Sequence, residues 1–487
     1  MNSPAEAHVS QPLAQHPEAE IHLREFLPIF MAVFLPMFMA AVDQTLLATA
    51  TPVIATELGG LRDTSWVAVS YLLAAAAVVP LYGWLGDRLG LARVLRYSLT
   101  TFALGSLACG LAQNLPQLVA ARVLQGLGGG GLMVLSQALI GELLPPRQRG
   151  RFQGYFAAVY TLASVGGPVL GGLIVSVVSW RWLFLGNLPL AALAMWRLYV
   201  LRGVRSNGHI GDKVDSKGLV LFPLLVALSI YWLSSVGHHF PWNSWPSLTL
   251  LAAAVTSGIW LVRHEKKTPH PFLNAQLLGH PAMRSLILMT MSFASCMFAL
   301  IFYLPIYLQL CLQSSAVKSG LLILPVTGGI VVGSTLCGQA LAKGVLPKYL
   351  PTLGLGTASL ALALLAWLGA EPHLIVILGS IAGTGFGCVM PTAQVVAQTV
   401  AGRGRLGAAT SMIGLSRSLG AALGTTVFGV LIFTLLPGVP HGATPADFLK
   451  LPTAQVQHAF HMAFGVMAVT AALGSWIASR APSVQLR

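Results

Sequence analysis

Charge is scarce in this chain, and acid is scarcest. In 487 residues there are 14 Asp and Glu against 28 Lys and Arg, and charged residues make up 9% of the total. Soluble domains carry about a quarter of their residues as charges, which cover the globule with a wettable surface. With 55% hydrophobic residues, a water-soluble fold is excluded and a bilayer becomes the solvent. Cysteine is also sparse. Cys109, Cys296, Cys311, Cys337 and Cys388 lie in or at the ends of apolar runs, with no CxxC or metal-ligand spacing. That argues against a disulfide framework or metal site, and the thiols read as small core hydrophobes. The polar start of the chain, to about Arg24, lacks the basic region and short apolar core of a signal peptide. It reads as a tail.

The formal net charge of +14 does not imply nucleic acid. The basic residues sit in short loops between long apolar runs, without a continuous basic face for a phosphate backbone. Those runs are the main feature. A spanning helix needs roughly 20 mainly apolar residues, and by that measure the chain holds about fourteen spans. They fall near 26–54, 66–86, 92–112, 117–143, 152–176, 181–201, 218–237, 246–263, 284–312, 319–342, 349–370, 373–400, 406–436 and 458–479. With the N-terminus placed inside and the spans alternating, only Arg62, Arg181, Lys318 and Lys450 fall outside, and Arg122 and Arg417 fall within helices. All other Lys and Arg collect on the inner side, as the positive-inside rule requires. The expectation is a multi-pass protein of the cell inner membrane with both termini cytoplasmic.

The chain also repeats itself. Arg149-Gly150-Arg151 opens the fifth span, which carries glycines from Gly166 to Gly172; Arg403-Gly404-Arg405 opens the thirteenth, with Gly420 and Gly424 at nearly the same offset. Two related bundles would show such a repeat. The expected organisation is a tail at 1–25, a six-helix bundle at 26–203, a two-helix insertion at 204–283, a second six-helix bundle at 284–480 and a tail at 481–487.

Asp43 is an acidic residue deep in a span. An ionised carboxylate at that depth costs several kcal/mol, so it must be paired, wet or protonated. It reads as a proton or cation site, the plainer alternative being an Asp that only stabilises its helix. Arg122 sits at similar depth in the fourth span, and Gln125, three residues on, shares its face. Glu142, before Pro145-Pro146-Arg147, reads as half of an edge ion pair with Arg147 or Arg149. Arg417 has no acidic neighbour in sequence, so substrate, backbone carbonyls or the interface are its candidate partners. The run Gly126 to Gly131 lies inside a span and lacks the Lys-Ser/Thr ending of a phosphate loop, so close helix packing explains it better. With no nucleotide motif and no cofactor site, an ion gradient is the expected energy source. A single deep carboxylate suggests neutral or monovalent substrates. Clustered deep nucleophiles, which a membrane-embedded enzyme would need, are absent from the sequence pattern.

These residues carry a resemblance to the major facilitator superfamily, and within it to the fourteen-span drug/proton antiporters, over about residues 26–480. Gly83-Trp84-Leu85-Gly86-Asp87-Arg88-Leu89-Gly90-Leu91-Ala92-Arg93 resembles the family's signature loop, departing at Leu91 and Ala92 where basic residues are usual. Leu118 to Gly131, with Arg122 and Gln125, is similar to the fourth-helix motif. Gly166 to Gly172, including Gly167, Pro168, Gly171 and Gly172, is similar to the antiporter motif. Asp43-Gln44-Thr45 through Pro52, Trp180 to Phe184 and Asn187-Leu188-Pro189 fit the fourteen-span branch. The resemblance implies an all-α major facilitator fold, two six-helix bundles plus two extra central helices, working by alternating access. It implies proton coupling at Asp43 with Arg122 and Gln125. It also implies conformational gating through Gly83, Asp87, Arg88, Gly90 and Arg93, with Asp87 pairing with a basic group or a helix N-terminus, and export of amphipathic drug-like compounds that would confer antibiotic resistance. The partners implied are small molecules, protons and the bilayer; a periplasmic adaptor and outer-membrane channel stay open. A same-fold exporter of one metabolite, lipid or siderophore is the alternative.

Overall fold

The computed structural model describes residues 23–58, 65–200, 215–235, 240–241, 243–268, 275–311, 316–369, 371–436 and 452–486. Most of the N-terminal tail, the start of the central insertion and most of the 237–242 loop lie outside the described residues, as do Arg62 and Lys450. Every regular element described is helical. In chain order these are α1 (Leu23–Leu58), α2 (Ser65–Leu89), α3 (Leu91–Leu111), α4 (Leu115–Leu143), α5 (Pro146–Val177), α6 (Arg181–Leu185) and α7 (Asn187–Val200). The middle of the chain supplies α8 (Ser216–Ser235), α9 (Trp245–Glu265) and the short α10 (Ala275–Gly279). The last third supplies α11 (Pro281–Cys311), α12 (Ala316–Ala342), α13 (Tyr349–Leu368), α14 (Pro372–Gly387), α15 (Val389–Ala401), α16 (Leu406–Thr434) and α17 (Thr453–Arg480).

Helix starts follow local chemistry. Asn114 caps α4 by accepting from the Gln117 amide at 3.0 Å, Ser244 caps α9, and proline occupies the first turns of α4, α5, α9 and α14. The turn between α2 and α3 pivots on Gly90 at φ 97°, a conformation that a side chain disfavours.

Among the described residues, 11 helices are long and apolar enough to cross a membrane. The expected spans at 152–176, 181–201 and 218–237 are not among them, for separate reasons. In α5 the side chains at 164, 165, 168 and 169 lie outside the described residues, which interrupts the stretch at 152–176. The sixth expected span is broken at Gly186 into α6 and α7, and in α8 the described apolar stretch is Lys217–Leu233 of a 20-residue helix.

Packing divides the core. One cluster lies within α10–α17, two more are built mainly from α1–α7, and a fourth joins Leu221, Phe222, Val226 and Ile230 of α8 to Ala76 of α2 and Leu415 and Leu419 of α16. The halves mirror each other: α1 packs on α5 as α11 packs on α16, and α2 on α4 as α12 on α14. Between the halves the partners exchange, with α5 against α12 and α2 against α16. The repeated glycines mark those contacts. A Cβ at Gly167 would overlap Thr45 of α1, and one at Gly420 or Gly424 would overlap the α11 backbone at Met291 or Ser295.

The glycine run of α4 is a packing surface, as its place inside a span suggests. A Cβ at Gly126 or Gly130 would strike the α2 backbone at Tyr71 or Ala75, and one at Gly128 the α3 backbone at Phe102. Small residues let helices approach this closely in a bilayer, where dispersion and hydrogen bonds drive association. Gly172 has open space around its Cβ position, so tight packing does not explain it. Gly128→Leu is therefore expected to destabilise the protein by about 1–3 kcal/mol through overpacking, and Gly172→Ala to leave it unchanged; thermal unfolding in detergent reads both.

Candidate functional site

The buried polar centre of the first half is built from α1, α3 and α4. Asp43, Arg122 and Gln125 are 4%, 1% and 0% exposed. Arg122 Nη1 donates to Asp43 Oδ2 at 2.6 Å and to Gln125 Oε1 at 2.7 Å, and Gln125 Nε2 donates to Asp43 Oδ1 at 2.9 Å. The triangle closes on itself. Both carboxylate oxygens are satisfied, and the depth match read from the sequence becomes a direct contact.

Further groups hold it. Arg122 Nε donates to the Val67 carbonyl at 3.0 Å, and its guanidinium lies 4.2 Å from the Tyr71 ring centroid. Gln125 Nε2 also donates to Ser106 Oγ at 2.8 Å. Gly105 makes this approach feasible, because a Cβ there would overlap Gln125. Ser106 and Tyr71 had no distinguishing sequence signal: each sits among apolar neighbours as an ordinary small or aromatic helix residue.

Asp43 faces α4, whereas its neighbours face a cavity. Two lobes of about 300 and 330 Å³ share Met133, Tyr160, Phe298 and Arg417, so they form one chamber between the halves. Gln44 lines one lobe and Thr45 the other. Thr45 Oγ1 donates to the Ala163 carbonyl of α5 at 2.9 Å, tying α1 to α5 beside Gly167. Asp43 does not line either lobe. Arg417 does line both, and its Nη2 reaches Met133 Sδ at 3.3 Å. Gln137, Gln153 and Ser334, unremarked in sequence, form part of the chamber wall.

A second polar centre ties the end of α2 to the start of α16. Asp87 Oδ1 accepts from the Gly407 amide at 2.6 Å and Oδ2 from the Ala408 amide at 2.8 Å. These are orphan donors in the first turn of α16, and the carboxylate also meets the positive end of the helix dipole. Gly83 and Gly407 pack backbone to backbone beside it. Arg88 lies 5.0 Å from the Trp84 ring and Arg93 is exposed. Leu91, at a departure from the signature loop, is buried in the core.

Other bonds between the halves gather at this same end. Gln394 Nε2 donates to Gln137 Oε1 at 2.8 Å, Gln398 Nε2 to the Gln137 carbonyl at 3.2 Å, Ser334 Oγ to the Gln153 carbonyl at 3.2 Å, and Arg147 Nε to the Leu486 carbonyl at 3.2 Å. Arg149 Nε donates to the Leu144 carbonyl at 2.8 Å. The mirror contact of α5 with α12 places Gly150 against Gly338 and Leu341. Four residues past Gly338, where α2 has Asp87 four past Gly83, stands Ala342. The carboxylate lock is thus one-sided.

At the opposite end of α1, Glu57 accepts hydrogen bonds from Arg181 and, at 2.7 Å, from Trp180 Nε1. The Arg181 bond holds the Glu57 carboxyl below the usual carboxylate range, against a desolvation that pushes it up. Of the antiporter motif, Gly167 meets α1, Gly171 is buried and Gly172 faces open space; the Pro168 side chain lies outside the described residues.

Described residues that are helical throughout, in two halves that enclose a chamber beside a buried charged centre, define a membrane transporter class. The model of the Major Facilitator Superfamily matches residues 33–425, and the chain belongs to that superfamily. It is similar to the multidrug transporter protein MdtP of Bacillus subtilis, 33% identical over 396 residues that cover 80% of this chain and 72% of that one. An uncharacterized MFS-type transporter of Mycobacterium tuberculosis is 32% identical over 436 residues, 87% of this chain and 63% of its own length. In fold the chain is similar to the crystal structure of the human organic anion transporter MFSD10, with TM-score 0.65 at 14% identity, covering 93% of this chain and 99% of that one.

Removing one partner of a buried ion pair strands the other. Arg122→Met is expected to destabilise the protein by about 3–5 kcal/mol, and Asp43→Asn in the same chain to recover much of that loss. Thermal unfolding of the two single variants and the double variant checks it; additive losses would contradict the pairing.

Proposed function

We propose that this transporter is a proton-coupled antiporter that exports amphipathic drug-like compounds by alternating access. In this reading it sits in the cell inner membrane with fourteen spans, as bundles 26–203 and 284–480 around an insertion at 204–283. Both termini are cytoplasmic. The basic residues at the Asp87 end support that orientation: Arg88, Arg93, Arg147, Lys343, Lys348, Arg405 and Arg480 all lie near helix termini of that end. The similarity to MdtP supports a multidrug role.

The observation that carries the reading is the buried triangle of Asp43, Arg122 and Gln125. An ionised Asp43 binds α1 to α4. A proton arriving from outside removes that charge, and the Arg122 link weakens to a neutral hydrogen bond. Helix α1 carries Gln44 and Thr45 into the chamber and grips α5 through Thr45 and Gly167. A shift of α1 therefore reaches both the chamber and the α5–α12 seam. The Asp87 lock holds the cytoplasmic end closed, leaving the chamber to exchange with the outer side. A proton can shift such a two-state balance only by its differential affinity for the two states, and a few kcal/mol suffice. The proton binds as substrate leaves to the outer side; once the chamber faces inward the proton is released and a new substrate binds, which completes the cycle.

Asp43→Asn is expected to fold and to lose gradient-driven transport, while substrate counterflow at equal pH persists. Proteoliposomes with an imposed pH gradient and a fluorescent amphiphile test this; undiminished gradient-driven transport by the variant would contradict the coupling role.

A further inference from the structure

We infer that Arg417 selects the substrate: the chamber favours amphiphiles bearing one anionic group, which pairs with its guanidinium, over cationic ones. This rests on the transport reading above and names the class of compound that the chamber receives.

The wall of the chamber has a simple charge pattern. Among the described lining residues Arg417 carries a formal charge and no Asp or Glu appears; Gln44, Gln137, Gln153, Thr161 and Thr327 supply neutral polar contacts. The nearest deep carboxylate is committed elsewhere, since Asp43 is bonded to Arg122 and Gln125 and is 4% exposed. Arg417 has no acidic partner among the described residues, and its one described side-chain bond is to the thioether of Met133. Thioether sulfur is a weak acceptor. Four of the five N–H donors of a guanidinium are then left to water or to a ligand.

Position sharpens the point. Arg417 lies 11 residues past Leu406, the start of α16, or roughly 16 Å along the helix axis. At that depth a lone guanidinium is retained because it faces a water-filled cavity. A substrate that fills the chamber displaces that water. A carboxylate or sulfonate replaces the lost hydrogen bonds, and its planar or forked oxygens match the guanidinium. A cation displaces the same water, gives nothing back and adds like-charge repulsion. The apolar remainder of such a substrate has Phe156, Phe293, Phe298 and Phe386 to lie against. The exchange also suits the membrane potential: a proton moving in and an anion moving out both carry positive charge inward.

The test is binding without a gradient. Full-length protein in nanodiscs is titrated calorimetrically with n-octanesulfonate and with n-octyltrimethylammonium, with empty nanodiscs as the partition blank. The wild type should bind the sulfonate about tenfold or more tighter, the scale of one charge-assisted hydrogen-bonded pair. Arg417→Gln should lose most of that preference while keeping its weak ammonium binding, and Arg417→Lys should retain part of it. Equal binding of the two probes by the wild type would overturn the inference, whatever the variants do. So would an Arg417→Gln variant that weakens both probes alike. Proton coupling does not enter this readout. A protein that prefers the sulfonate but ignores a pH gradient would overturn the coupling and leave the selectivity standing.

Discussion

A guanidinium and a carboxylate buried among apolar helices must satisfy each other, because the bilayer offers neither of them water. Asp43 and Arg122 meet that demand at 2.6 Å, with Gln125 closing the triangle. Much of the first half is arranged to allow it. The glycine face of α4 brings that helix against the backbones of α2 and α3, Gly105 clears room for Gln125, and the Val67 carbonyl and Tyr71 ring accept the rest of the arginine. Each of these contacts is a condition for a charge pair at this depth. The same pair is a place where a single proton changes the charge that holds α1 to α4.

The second carboxylate works on a different principle. Asp87 is held by two backbone amides and a helix dipole, with no formal cation in its hydrogen bonds. Such a lock is geometric: it exists only while α16 presents its first turn to α2. Its mirror position, at the end of α12, carries Ala342. The two halves therefore contribute unequally to the contacts between them at this end, although their helices pair in the same pattern. Helices α8 and α9 add to this inequality. Helix α8 lies on α2 and α16, with Thr426 Oγ1 donating to the Leu233 carbonyl at 2.8 Å and Ile230 reaching the chamber. The central insertion thus braces the α2–α16 crevice, while the α5–α12 crevice has no such cover among the described residues.

The features legible in the sequence were those that depend on few residues. A charge deep in a long apolar run stands out at Asp43, Arg122 and Arg417, and helix rise alone brings the first two to the same depth. The run from Gly126 to Gly131 declares close packing because a span has no other use for it. What stayed hidden depends on distant backbone. The loop after α2 does not say which basic group or helix N-terminus Asp87 will find; the amides are those of Gly407 and Ala408, more than three hundred residues away. Ser106 and Gln137 look like any small or polar helix residue until the neighbouring helices close on them.

The central claim is that the charge on Asp43 sets which end of the transporter is closed. Spin labels placed on exposed Arg93 and Tyr349, one in each half at the Asp87 end, report the opening of that end by pulsed electron resonance. The account predicts that the wild-type distance distribution shifts with pH, and that Asp43→Asn fixes it in the protonated-like distribution at every pH. A variant whose distribution moves with pH as the wild type does would contradict the claim.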